Sequence, residues 1–163
     1  FSSYIHNLEV NTFLEVIIYM FARMNNPECQ VVYFIIMFIH SALKYHDYYF
    51  VLKPLAHVLI CLGITLLTKF LLGRPRPLIN DKVKRIFNCR SRETNNSMPS
   101  GDALQAANFA VILIYYYDFY YGLLAIPFVM FARVFYFCHF IMDTVVGAIL
   151  GFAISIPLYY ILN

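Results

Sequence analysis

The chain has 163 residues, 61% hydrophobic and 13% charged, against roughly 45–50% and about 25% in an ordinary soluble domain. With 16 Phe, 14 Tyr and no Trp, too few polar residues remain to coat a globule of this size, so lipid must replace water over much of it and most water-soluble enzyme classes are excluded. The net charge of +3 is small and its basic residues are clustered, which argues against a nucleic-acid surface and for one anion site.

A single domain over 1–163 is expected at this length, and about six helices of ~20 residues would use nearly all of it. The chain opens on Phe1 rather than Met, which reads as a processed or partial product, and no cleavable signal pattern is visible. The first candidate helix covers 8–23. Its Glu9, Asn11 and Glu15 leave two readings, a spanning helix whose polar side faces the bundle or an amphipathic surface helix, and the first is preferred. Asn25-Asn26-Pro27 ends it. Stretches free of Asp, Glu, Lys and Arg then run over 29–43, 54–68, 103–117, 119–132 and 144–163, each able to cross most of a bilayer at ~1.5 Å per residue.

Lys44 to Asp47 separate the second and third of these helices, and Gly73-Arg74-Pro75-Arg76-Pro77 stops the third because proline cannot continue a helix. One long loop follows. Its Lys82, Lys84, Arg85, Arg90 and Arg92 read as a solvated or headgroup-facing run. Ser100 has the character of an N-cap, with Asp102 in the first turn, where a negative charge suits the helix dipole. A turn over 118–122 separates helices four and five. Between Arg133 and Asp143 the chain reverses without Gly or Pro, so that boundary stays open. The cysteines Cys29, Cys61, Cys89 and Cys138 form no CxxC pair and give no support for a thiolate metal site. Cys29 and Cys89 are expected on one membrane face, where a disulfide between them would indicate an oxidising compartment.

If spans three to six each cross once, Lys69, Arg76, Ser100, Asp102, Arg133, His139 and Asp143 all lie at helix ends on one face. Ionisable groups at membrane level are costly and usually mark a site. Three of these residues are cations, and the cluster calls for an anion. Phosphate fits, since a guanidinium grips two oxygens and a helix N-terminus offers backbone N–H groups.

Three motifs carry a resemblance. Lys69, six residues, then Arg76-Pro77 form the first; Pro99-Ser100-Gly101-Asp102 the second; Ala132-Arg133, five residues, His139, three residues and Asp143 the third. In order and spacing over about 51–151 they resemble the type 2 phosphatidic acid phosphatases, relatives of the vanadium haloperoxidases and bacterial acid phosphatases. The resemblance implies an all-α, six-helix integral membrane bundle that hydrolyses a lipid phosphate or diphosphate. His139 would attack phosphorus, Asp143 would hold its far ring nitrogen and residue 102 would protonate the leaving oxygen. Lys69, Arg76, Ser100, Gly101 and Arg133 would bind the phosphoryl oxygens, with no metal and no other cofactor. The chemistry agrees: His139 and Asp143 are four apart, neighbours on one face of a helix, and a carboxylate fixing an imidazole tautomer generalises the catalytic triad.

Two positions depart from the family pattern: Ala132 stands for a serine, and Asp102 for the histidine of the second motif. An ordinary Asp, with a pKa near ~3.9, is ionised at neutral pH and cannot donate. Asp102 therefore suits a leaving group that needs little protonation, as in a polyprenyl diphosphate, or an acidic optimum. The competing reading is a catalytically impaired subunit with a structural or lipid-binding role in a larger membrane complex, joined to other subunits. A transporter fits less well, because the cations sit at helix ends rather than along a midplane path.

His6, His40, His46 and His57 lie off the motifs and read as structural or interfacial. Gly147 and Gly151 form a GxxxG that permits close helix packing. The tyrosines at 115–117, 120–121 and 159–160 fit an interfacial belt. Asn95-Asn96-Ser97 is a formal glycosylation sequon, but it adjoins the second motif, which argues against its use. The distribution of Lys and Arg places the motif face on the cytosolic or mitochondrial-matrix side, whereas eukaryotic members of the family place it on the lumenal or outer face. The expected membrane is the endoplasmic reticulum or another endomembrane, with the mitochondrial inner membrane as the alternative.

Overall fold

The computed structural model describes residues 2–44 and 48–163, and the regular structure among them is helical throughout. Seven α-helices follow one another: α1 (Ser2–His6), α2 (Thr12–Arg23), α3 (Pro27–Lys44), α4 (Leu52–Leu72), α5 (Gly101–Tyr117), α6 (Ala125–Phe135) and α7 (Ile141–Leu162). This is the expected all-α bundle with the short α1 added. His46 lies outside the described residues.

The core is built around α5. Its Ala103, Ala106, Ala107 and Ala110 let neighbours approach closely, and the helix is buried on nearly all sides over its first three turns, packing against α4, α6 and α7. Contact with α7 is closest where two glycines remove their side chains. A Cβ at Gly147 would lie 2.4 Å from the Ser100 carbonyl oxygen, and one at Gly151 would lie 2.5 Å from that of Leu104. Across the same interface Ser155 Oγ donates to Asn108 Oδ1 at 2.7 Å, and Asn108 Nδ2 donates to Gln105 Oε1 at 3.0 Å, so the buried polar groups satisfy one another.

Helices α4 and α7, with 21 and 22 residues, are long and apolar enough to cross a membrane. Their outer faces expose Leu59, Leu66 and Phe70, and Ile149, Ile156 and Ile161, and α3 adds Val31, Ile35 and Ile39. Apolar exposure on this scale has lipid as its natural solvent. The first candidate span turns out differently. With 12 residues α2 extends about 18 Å, too short to cross a ~30 Å hydrocarbon core by itself. Its Glu15 is buried and accepts the Ile86 N–H at 2.7 Å, whereas Glu9 and Asn11 are exposed, so only part of the expected polar side faces protein.

Two backbone features aim the site. Gly73 closes α4 in the left-handed region, at φ 59°, and returns its N–H to the Lys69 carbonyl. After α6, Phe137 turns the chain at φ 57°, a conformation costly for a residue with a Cβ. The His6 ring stacks on Phe137 at 4.8 Å. The turn sends both the Cys138 and His139 N–H groups back to the Arg133 carbonyl, at 3.1 and 3.3 Å, and this is the reversal that no Gly or Pro announces.

Candidate active site

The end of α4, the loop behind it, the start of α5, the end of α6 and the start of α7 bring all the motif residues together. Lys69, in the last turn of α4, donates from Nζ to the Asn96 carbonyl at 2.6 Å. The Pro-bracketed segment after Gly73 turns Arg76 inward. Its Nε donates to the Asn95 carbonyl at 2.7 Å, and its Nη1 donates to the Cys138 carbonyl at 2.6 Å and lies 3.3 Å from His139 Nε2. Arg133 reaches the same place from α6, almost wholly buried. Its Nε is 3.0 Å from Asp102 Oδ2, an ion pair without hydrogen-bond alignment.

His139 is 1% exposed, and its Nδ1 is 2.7 Å from the Ser97 carbonyl oxygen. A carbonyl only accepts, so Nδ1 carries the proton and the Nε2 lone pair faces the cations. Burial holds the imidazole well below its usual pKa, and Arg133, Arg76 and Lys69 add to that, outweighing the Ser97 bond. The result is a neutral imidazole whose unprotonated Nε2 accepts from Arg76 Nη1 and is directed into a cationic pocket. Neighbouring Cys138 is pushed up to about 12 by burial and stays a thiol, so it does not compete as a nucleophile.

Asp143 does not take the position assigned to it by the family resemblance. Its Oδ2 is 3.9 Å from His139 Nδ1, beyond hydrogen-bond reach, and accepts the Phe140 N–H at 2.9 Å instead. Its Oδ1 takes Arg74 Nη1 at 2.6 Å. The expectation that Asp143 orients the imidazole is therefore corrected: the Ser97 carbonyl does so, because Arg74 draws the carboxylate away. Ser100 caps α5, accepting the Ala103 N–H at 3.4 Å, while its own N–H goes to the Asp143 carbonyl at 2.9 Å. Its hydroxyl proton is the donor it can offer a ligand. Gly101 follows at the helix start, where a Cβ would lie 3.2 Å from Thr65 Cγ2.

Arg74, Glu93 and Ser97 are the site residues that sequence reasoning missed. Glu93 is the least expected. Its Oε2 accepts from Arg76 Nη2 at 2.7 Å and its Oε1 pairs with Arg133 Nη2, so one carboxylate bridges two motif guanidinium groups. Burial would raise its pKa, but Arg133 and Arg76 outweigh burial and hold it below the usual carboxylate range. The loop's basic run also differs from a uniformly solvated one. Arg85 donates to the carbonyls of Leu8 and His6 and lies 3.5 Å over the Phe135 ring, whereas Lys82 and Lys84 are exposed. The four cysteines are free thiols.

Residues 50–163 match the PAP2 superfamily, and the chain belongs to that family. The fold is similar to that of the first transmembrane PAP2-type phosphatidylglycerolphosphate phosphatase from Bacillus subtilis, with 17% identity and a TM-score of 0.79 over 98% of this chain and 81% of that one. It is also similar to Aquifex aeolicus LpxE, at 21% identity and a TM-score of 0.74 over 98% and 92% of the two chains. No curated protein matches the sequence significantly.

Proposed function

We propose that the protein is a membrane lipid phosphatase that removes phosphate or diphosphate from a lipid through a phosphohistidine on His139, with Lys69, Arg76 and Arg133 supplying the charge that a metal supplies elsewhere. The observation that carries this reading is the tautomer of His139: Nδ1 is committed to Ser97, and Nε2 lies among cations suited to three equatorial phosphoryl oxygens. The Nε2 lone pair forms the N–P bond as the bond from phosphorus to the leaving oxygen breaks and its electrons pass to that oxygen. Water then attacks phosphorus, the N–P bond breaks, and the lone pair returns to Nε2 as phosphate leaves.

Asp102 replaces the histidine of the family pattern and is ion-paired with Arg133, so it is poorly placed to give a proton to the leaving oxygen in the first step. It can accept one from the attacking water in the second. Leaving groups that depart without protonation are therefore favoured, a lipid diphosphate before a simple monoester. An apolar cavity of about 180 Å³ lies between α3, α5 and α6, lined by Tyr33, Met37, Ala106, Phe109 and Ala110. It reaches Asn25, whose Nδ2 donates to the Asp102 backbone carbonyl at 3.0 Å, so it provides room for an apolar chain near the start of α5.

The test is phosphate release from a polyprenyl diphosphate and a lipid monoester by the purified wild type and His139→Ala. Release from the diphosphate that disappears in the variant is expected. Equal activity in the two proteins would overturn the reading, and faster monoester turnover at neutral pH would overturn the substrate preference.

A further inference from the structure

Four nitrogens of the motif cations are turned toward one strap of the chain, residues 93–96. Lys69 Nζ donates to the Asn96 carbonyl, Arg76 Nε to the Asn95 carbonyl, and Arg76 Nη2 to Asn95 Oδ1 at 2.6 Å. Glu93 completes the set by bridging Arg76 and Arg133 with its two oxygens. Two oxygens of one anion, each on a separate guanidinium, are also what these residues would present to a phosphoryl group. The carboxylate is itself only 20% exposed, and it belongs to a loop outside the helices, with Arg90 Nη1 donating to the Glu93 carbonyl at 2.8 Å.

We propose that Glu93 is a tethered competitor for the phosphoryl site, an autoinhibitory contact that an incoming phosphoryl group must displace, lifting residues 93–96 as it binds while the Ser97 carbonyl stays on His139. This rests on the phosphate-binding reading above. A carboxylate on the same chain acts at a high effective concentration, so it lowers the apparent affinity of a free oxyanion without altering the contacts that the oxyanion makes once bound. In the ligand-free protein it also pairs buried Arg76 and adds a second carboxylate, beside Asp102, to buried Arg133, and removing a partner from a buried charge is strongly unfavourable. The same group therefore stabilises the resting fold and opposes the ligand. These two effects have opposite signs in an experiment.

The probe is orthovanadate, a tetrahedral oxyanion, titrated calorimetrically into the wild type, Glu93→Gln and Glu93→Ala in detergent, with thermal unfolding followed in parallel. The expected result is that both variants unfold at lower temperature without ligand yet bind orthovanadate more tightly, by about tenfold or more. If Glu93 only organises the cations, both variants bind it more weakly, and the proposal is overturned. Should neither variant fold, amide hydrogen exchange of the wild type decides: saturating orthovanadate is expected to speed exchange in 93–96 as the strap lifts, and slower or unchanged exchange overturns the proposal. If the wild type and the variants all fail to bind orthovanadate, the phosphate-site reading fails as well, whereas binding by the wild type that the variants do not improve refutes the tethered competitor alone.

Discussion

Gly147→Ala tests whether the contact between α5 and α7 sets the geometry of the site. The added Cβ would lie 2.4 Å from the Ser100 carbonyl oxygen and 3.3 Å from Ser100 C and N. An unstrained contact is about 3.5 Å, so the helices must part by about 1 Å. The atom in the way is backbone at the N-cap of α5 and has no rotamer to escape into. The Ser100 N–H bond to the Asp143 carbonyl, 2.9 Å long, spans the same gap and is strained with it. Overpacking of this kind costs about 1–3 kcal/mol. A shift of about 1 Å between Ser100 on one side and His139 with Asp143 on the other lowers turnover by something on the order of a hundredfold. Gly63→Ala is the control, since its Cβ meets nothing within 4 Å and alanine favours the helix by about 1 kcal/mol. Thermal unfolding and phosphate release are measured on both variants. If Gly147→Ala matches Gly63→Ala in both, α5–α7 contact does not position the site.

Asp143→Asn leaves the Ser97 carbonyl bond to His139 in place, so kcat is expected to fall by no more than about tenfold, against roughly 10⁴ when an orienting triad carboxylate is lost; a fall of the larger size would restore Asp143 as the orienting group. Because His139 is held well below the ordinary pKa, the unfolded chain takes up its proton first as the pH falls. Stability should therefore decline below about pH 6.5 by up to ~1.4 kcal/mol per unit, and the same unfolding series on His139→Asn should lose that part of the slope. Ala110→Phe fills the apolar cavity beside Asn25, so kcat/KM for a long-chain substrate should drop by about tenfold, equivalent to losing roughly two methylene contacts, while a short-chain analogue is unaffected; equal losses on both would mean that the cavity holds no substrate chain.

Much of the bundle and the gathering of the motif residues could be read from the chain because both depend on contrasts that side-chain type carries. Charges are confined to the ends of apolar runs, Gly73 with the prolines behind it ends α4, and Gly147 and Gly151 mark the close crossing of α5 and α7. What could not be read depends on the backbone or on register within a loop. The group that orients His139 is a carbonyl, which every residue possesses, so nothing distinguishes Ser97 in advance. Arg74 and Arg76 stand two apart, a spacing that extended backbone would put on one side, yet the first pairs with Asp143 and the second with Glu93, and spacing alone does not say so. Glu93 sits in a loop without periodicity, hidden among basic residues that suggested a solvated run. Phe137 occupies a left-handed position that composition would have reserved for glycine or asparagine.

Rapid quenching of the enzyme with a lipid substrate radiolabelled at the terminal phosphorus bears on the reaction most directly. The wild type should yield protein-bound label that is stable to alkali, labile to acid and located on His139, and His139→Ala should yield none. Turnover of substrate with no such adduct, or label retained in His139→Ala, would contradict attack by the imidazole Nε2.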